Sequence, residues 1–214
     1  MKYENFTKHR ILAFGDSNTY GYNPDTNGRY GDDERWPRVL EKLLGEKFTV
    51  IEEGLPGRTS VFEDPITEGL CGLSSITPCM MSHAPLDTII ISLGTNDTKE
   101  RFGCSAQLIA QGIGRLVQKA LHTDAWRSRP DVLVVCPVPI SPDYMNGVFY
   151  TVMGDGCDKK AASLAKALET QVVACGARFV DAGRFAEVCL HPLDGIHLTC
   201  ESHKALAKIL AQQL

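Results

Sequence analysis

A chain of 214 residues with a formal net charge of −4 is the size of one α/β unit, and it can bury roughly 70 to 75% of the surface its unfolded form exposes. Lysine and arginine are dispersed rather than bunched, which excludes the basic footprint of a nucleic-acid binder or of a protein held on an anionic membrane surface. The eight cysteines, Cys71, Cys79, Cys104, Cys136, Cys157, Cys175, Cys189 and Cys200, stand singly with no C-x-x-C pair, so no bridges are expected and the composition points to a reducing, cytoplasmic compartment.

The N-terminal stretch Met1–Arg10 is polar and charged, unlike a secretory h-region or a membrane span. It leads into the first short apolar run, Ile11–Phe14. A helical pattern over Trp36–Leu44 follows, then Phe48–Ile51, an irregular stretch from Pro56 to Pro85, and Thr88–Leu93. Next come a helical pattern over Ala106–Leu121, the run Val132–Cys136, and a second irregular segment from Pro137 to Gly156. The patterns Lys159–Cys175, Arg178–Val180 and Ser202–Leu214 complete the chain. The five short runs lack alternation, as strands buried on both faces do. In Ala106–Leu121 an apolar stripe is expected from Leu108, Ile109, Ile113, Leu116, Val117 and Leu121.

Strands alternating with helices imply right-handed crossovers and a parallel sheet covered on both faces. The expected fold is therefore α/β, a three-layer α/β/α sandwich of about five parallel strands, with residues 1–214 forming one domain. Chemistry in such a sheet gathers beyond the C-terminal strand ends. The Pro56–Pro85 stretch is expected to be a long loop with one short helix, and Pro137–Gly156 to form the opposite wall of the site.

Four short motifs fall at those positions. Gly15-Asp16-Ser17-Asn18 puts Ser17 just past the first strand, exposed and fixed by backbone as a nucleophile requires, although the same string makes an ordinary turn. Gly57, in Gly54-Leu55-Pro56-Gly57-Arg58-Thr59 after the second strand, offers a backbone N–H to a substrate; Pro56 has none. Gly94-Thr95-Asn96-Asp97 after the third strand puts the Asn96 amide where it could donate to an oxyanion. Asp194-Gly195-Ile196-His197 spaces a carboxylate three residues before an imidazole, close enough to fix the tautomer whose Nε2 takes a serine proton. His9 and His122 sit at segment ends, His203 in the last helix, His191 before a proline, and His83 at the end of the long loop; none has such a partner. Each motif is weak alone, and their common order and placement carries the weight.

With these residues in place the sequence resembles the SGNH (GDSL-type) hydrolases, whose four blocks Ser17, Gly57, Asn96 and His197 supply, with Asp194 as the acid. ILAFGDS, VIEEGLPGRT, LDTIIISLGTNDTK, VLVVCPVP, VDAGRF and DGIHLT are similar to the arylesterase and acyltransferase subgroup. The resemblance implies a flavodoxin-like sandwich with sheet order 2-1-3-4-5, Ser17, Asp194 and His197 as the catalytic residues, and an oxyanion hole from Ser17, Gly57 and Asn96. It also implies short-chain acyl esters as substrates, water or an alcohol as acyl acceptor, no metal or organic cofactor, and a homo-oligomer with the Pro56–Pro85 loop at its interface. Asn18 stands where the family has leucine and is expected, with Tyr20 and Trp36, to contact substrate. Tyr22 and Phe149 are further wall residues, and Arg58 has no assigned role. The rival readings are an intracellular carbohydrate O-acetyl esterase, a catalytically silent α/β module that holds a small ligand, and a flavodoxin-like nucleotide or flavin binder. The last is disfavoured by the acid at Asp16, where a phosphate would sit.

Overall fold

A computed structural model describes residues 5–214; residues 1–4 of the polar N-terminal stretch lie outside them. In chain order the elements are β1 (His9–Gly15), α1 (Ser17–Tyr20), β2 (Tyr22–Asn23), β3 (Gly28–Arg29), α2 (Trp36–Leu44), β4 (Phe48–Gly54) and α3 (Gly72–Ser82). They continue with β5 (Thr88–Ser92), α4 (Ala106–Leu121), β6 (Val132–Cys136), α5 (Tyr150–Met153), α6 (Cys157–Ala174), β7 (Arg178–Asp181) and α7 (Cys200–Ala211). Five strands pair in the order β4-β1-β5-β6-β7, all parallel. Counting only these strands, that is the expected 2-1-3-4-5. The short β2–β3 ribbon pairs antiparallel beside it.

Successive side chains on a strand point to opposite faces, and each face has its own core. Leu12, Phe14, Ile89, Ile91 and Val134 pack with Ile76 and Met80 of α3, Ile109 and Ile113 of α4, and Leu164 and Leu168 of α6. On the other face Ile11, Ala13, Ile90, Leu133 and Val180 pack with Leu40 of α2 and Leu206 and Leu210 of α7. The inner strands β5 and β6 are buried throughout, which is why they read as continuous apolar runs. The edge strand β4 is only half-buried and carries Glu52 and Glu53. Glu52 is held by Arg35, at 2.6 and 2.9 Å, and by Arg29 at 3.1 Å.

The Pro56–Pro85 stretch holds more structure than expected: α3 runs for 11 residues, with Pro78 inside it. Leu108 does not join the stripe of α4. It is 48% exposed, while Ile109, Ile113, Leu116 and Val117 are buried. Trp36, expected at the substrate, is 1% exposed in the α2–α7 core. The amphipathic face of α2 turns toward α7, and an indole at its first turn is carried with it. His203 Nδ1 of α7 accepts the Trp36 backbone N–H at 3.4 Å; burial, aided by the charge of His197, pushes its imidazole down to about 3. His9, at the start of β1, is half-buried and lies 3.1 Å from the Thr88 hydroxyl.

Where β4 ends, the backbone of α1 lies directly on Gly54. A Cβ there would fall 2.1 Å from the Tyr20 nitrogen and 2.5 Å from the Thr19 carbonyl carbon. Because backbone cannot step aside as a flexible side chain can, Gly54→Ala is expected to cost about 3 kcal/mol, lowering Tm by roughly 6 to 12 °C in a chain of this size. Thermal denaturation of the variant beside the parent measures it.

Candidate active site

The turn from β1 into α1 is made by Asp16, whose carboxylate accepts the Asn18 N–H at 2.9 Å. Burial pushes the Asp16 carboxyl up to about 6, against the lowering effect of that bond. Ser17 is thereby the first residue of α1, at the C-terminal end of a central strand. Its hydroxyl lies 2.9 Å from His197 Nε2, and His197 Nδ1 lies 2.6 Å from Asp194 Oδ2. The other Asp194 oxygen accepts the N–H groups of Ile196 at 2.9 Å and His197 at 3.0 Å. Burial pushes the Asp194 carboxyl up, but the bond to His197, its charge and the two N–H groups outweigh it and hold the group below the usual carboxylate range. A carboxylate thus satisfied is positioned to keep the proton on Nδ1 and leave Nε2 free toward the serine.

Asn18, expected at the substrate, does something else. Its Oδ1 accepts the Leu198 N–H at 2.9 Å and its Nδ2 donates to the Ile196 carbonyl at 3.4 Å. The amide therefore grips the backbone on both sides of His197 and is spent there. Tyr20 is likewise outside the cavity; its ring lies under the Arg29 guanidinium at 4.3 Å.

Beyond β5 a single 3-10 turn, 96–98, carries Asn96. Its Nδ2 is buried and has no hydrogen-bond partner, although a buried donor left unpaired costs about 1–3 kcal/mol. The next residue, Asp97, is 0% exposed. Its carboxylate accepts the Ser60 N–H at 2.9 and 3.1 Å and, closer still, the Ser60 hydroxyl. Burial pushes this carboxyl up to about 6, tempered by the Ser60 bonds. One buried acid thus ties the Asn96 turn to the loop that carries Gly57. Gly57 has φ +86°, a left-handed conformation that side chains with a Cβ adopt at a cost.

Arg58 ties the same loop to β1. It is buried, with its guanidinium 4.1 Å from the Phe14 ring centroid, and Nη1 donates to the carbonyls of Gly15, at 3.1 Å, and Glu53. Its hydrogen-bond partners are backbone carbonyls, which leave no pattern in a sequence, and the Glu53 carboxylate stands farther off at 3.9 Å. His83 lies 2.8 Å from Glu53 and is not part of the cavity wall.

Ser17, Gly57, Asn96 and His197 line one cavity of about 140 Å³. Its apolar side is formed by Tyr22, Phe149, Val152 and Met153, the last three from the Pro137–Gly156 segment. The rings of Tyr22 and Phe149 stand 4.4 and 5.4 Å from the imidazole centroid. Among the described residues no group of three or more His, Cys, Asp and Glu side chains could hold a metal ion, and no helix is long and apolar enough to cross a membrane.

A hydroxyl, imidazole and carboxylate in hydrogen-bonded series at the mouth of a parallel sheet is the arrangement of a serine hydrolase. The comparisons with known proteins agree on which kind. The GDSL-like lipase/acylhydrolase family matches residues 13–205. Among solved structures, the native aryl esterase of M. smegmatis is 38% identical with a TM-score of 0.88, over 96% of this chain and 97% of that one. Est24, a carbohydrate acetylesterase from Sinorhizobium meliloti, is 33% identical with a TM-score of 0.88, over 96% of this chain and 98% of that one. A comparison with curated proteins found no match. The chain belongs to the GDSL-like lipase/acylhydrolase family, the SGNH hydrolases, and is an esterase.

Proposed function

We propose that this esterase cleaves short-chain acyl esters through an acyl-enzyme on Ser17, with His197 as general base and acid and Asp194 as its orienting partner. The observation that carries the reading is the unpartnered, buried Nδ2 of Asn96 in the cavity wall that also holds the Ser17 hydroxyl. A donor held dry and unpaired is ready for a charge that forms only during the reaction. In the first half-reaction His197 Nε2 takes the Ser17 proton while Oγ bonds to the ester carbonyl carbon. The carbonyl oxygen gathers negative charge facing Asn96 Nδ2 and the N–H groups of Ser17 and Gly57. Collapse breaks the bond to the alcohol, which leaves with the proton from His197. Water then adds to the acyl carbon with His197 again as base, releasing the acid and restoring Ser17; an alcohol in its place gives acyl transfer.

A cavity of about 140 Å³ is smaller than the roughly 300 Å³ from which drug-sized ligands are accommodated, which favours a short acyl group such as acetyl. The wall of Tyr22, Phe149, Val152 and Met153 favours aryl and alkyl esters. The likeness to Est24 supports a second reading, a carbohydrate O-acetyl esterase. Turnover of phenyl acetate compared with an acetylated xylo-oligosaccharide separates them, and a response to the sugar alone overturns the first. Eight free cysteines support a cytoplasmic site of action. We further read the chain as a homo-oligomer joined through the 56–85 segment, where Ile66 is 76% exposed.

Asn96→Ala is expected to lower kcat about 10²- to 10³-fold, the usual loss of one oxyanion donor, while leaving KM within a few-fold. Steady-state hydrolysis of p-nitrophenyl acetate measures both.

A further inference from the structure

One charged side chain in the cavity wall has no part in the reaction above. Lys99 lines the cavity with Ser17 and Asn96, and its side chain is 5% exposed. An ammonium carries three donors, yet its ion-pair partner, Asp64 Oδ2, stands 3.6 Å away, beyond hydrogen-bond reach. That oxygen is itself buried without a hydrogen-bond partner. The other Asp64 oxygen accepts the Ile66 N–H at 2.9 Å and faces Arg101 at 3.4 Å. One carboxylate therefore serves two cations, and it holds the lysine in place without consuming its donors. Burial counts most against the charged form and keeps the Lys99 pKa below the usual lysine value, with Asp64 opposing it. A methionine or leucine here would spare that cost but would leave the buried Asp64 carboxylate with Arg101 as its other cation, so this position is occupied for its charge rather than for packing.

The position of Lys99 also says which half of an ester it meets. A second, larger cavity of about 620 Å³ shares Tyr22, Phe149 and Val152 with the first. It runs outward past Val148 and Leu193, which are 80% and 59% exposed, and Lys99 is not in its wall. An ester bonded at Ser17 sends its two halves to opposite sides of the carbonyl carbon. The outer groove suits the alcohol, and the inner, smaller cavity suits the acyl group. We propose that Lys99 is a specificity-determining residue that selects short acyl groups ending in a carboxylate or an equally strong acceptor, making half-esters of short dicarboxylic acids substrates of this enzyme. The inference rests on the reading of Ser17 as the acylated residue.

The test compares monoethyl succinate with ethyl pentanoate, whose acyl chain is of similar length but neutral, by acid release, with p-nitrophenyl acetate as the control. Wild-type enzyme is expected to show the higher kcat/KM for the half-ester. Lys99→Met is expected to lower the ratio of half-ester to pentanoate about tenfold or more, mainly through KM, as loss of a charge-assisted bond does. Lys99→Arg is expected to keep most of the ratio. A ratio unmoved by Lys99→Met overturns the inference. Should that variant fail to fold, the wild type decides alone, because a tenfold preference for the pentanoate overturns it equally. Wild-type enzyme inert toward p-nitrophenyl acetate as well would overturn the Ser17 reading, and the assignment of Lys99 with it.

Discussion

Ser17→Ala is expected to abolish covalent turnover, with kcat for p-nitrophenyl acetate falling by about 10⁶-fold, the scale on which triad nucleophiles are missed. The hydroxyl does two things at this site: it carries the lone pair that bonds to the acyl carbon, and it delivers its proton to His197 Nε2 across 2.9 Å. None of the other polar side chains in the cavity wall, Tyr22, Thr95, Asn96 and Lys99, is hydrogen-bonded to His197 Nε2 as Ser17 is, so no neighbouring group replaces it. Stability should change little, because the substitution removes one oxygen atom and leaves the Asp194–His197 pair intact. Incubation with a fluorophosphonate probe, reading adduct mass and phenolate release together, distinguishes the outcomes. Labelling confined to the parent protein supports the acyl-enzyme, whereas equal labelling of the variant moves the nucleophile elsewhere. A parent that is neither labelled nor active would revive the reading of a silent ligand-binding module.

Asp194→Asn is expected to lower kcat about 10⁴-fold while changing the shape of the site very little. The reason lies in the two backbone N–H groups that Asp194 Oδ1 accepts, from Ile196 and His197. In the asparagine variant the amide oxygen must occupy that position, since an NH₂ there would face two donors. The NH₂ then falls opposite His197 Nδ1, which becomes the acceptor, and the ring proton moves to Nε2. An imidazole that donates to Ser17 cannot take its proton. A kcat within tenfold of the parent would remove Asp194 from the catalytic assignment; a large loss in kcat with KM held and Tm nearly unchanged is the signature of the wrong tautomer.

Much of this was legible in the chain itself, for identifiable reasons. β5 and β6 are buried on both faces by helices, and a strand so placed must be apolar at every position, so Thr88–Leu93 and Val132–Cys136 stand out without any partner being known. Ser17, Gly57, Asn96 and the Asp194–His197 pair each follow a strand or precede the last helix, and because parallel strands all end on the same side, order along the chain converts directly into proximity. The spacing of Asp194 and His197 is local, and one turn brings them together.

What the tertiary structure alone decided are the properties that depend on partners far along the chain. The sequence reads as one short helix in the 56–85 stretch because Pro78 interrupts the pattern, and it is packing of Ile76 and Met80 on the sheet that carries α3 through its 11 residues. Leu108 has the chemistry of a core residue and none of the contacts. Trp36 looked like a pocket aromatic until α7 covered it. Asn18 finds its partners 178 and 180 residues away, and Arg58 finds carbonyls that no side-chain pattern announces. Lys99 shows the limit most clearly. Its type is visible in the sequence, but whether a lysine is solvated, neutralised or held at a cavity wall with donors to spare is set by burial and by the distance to one carboxylate, and a chain acquires both only when it folds.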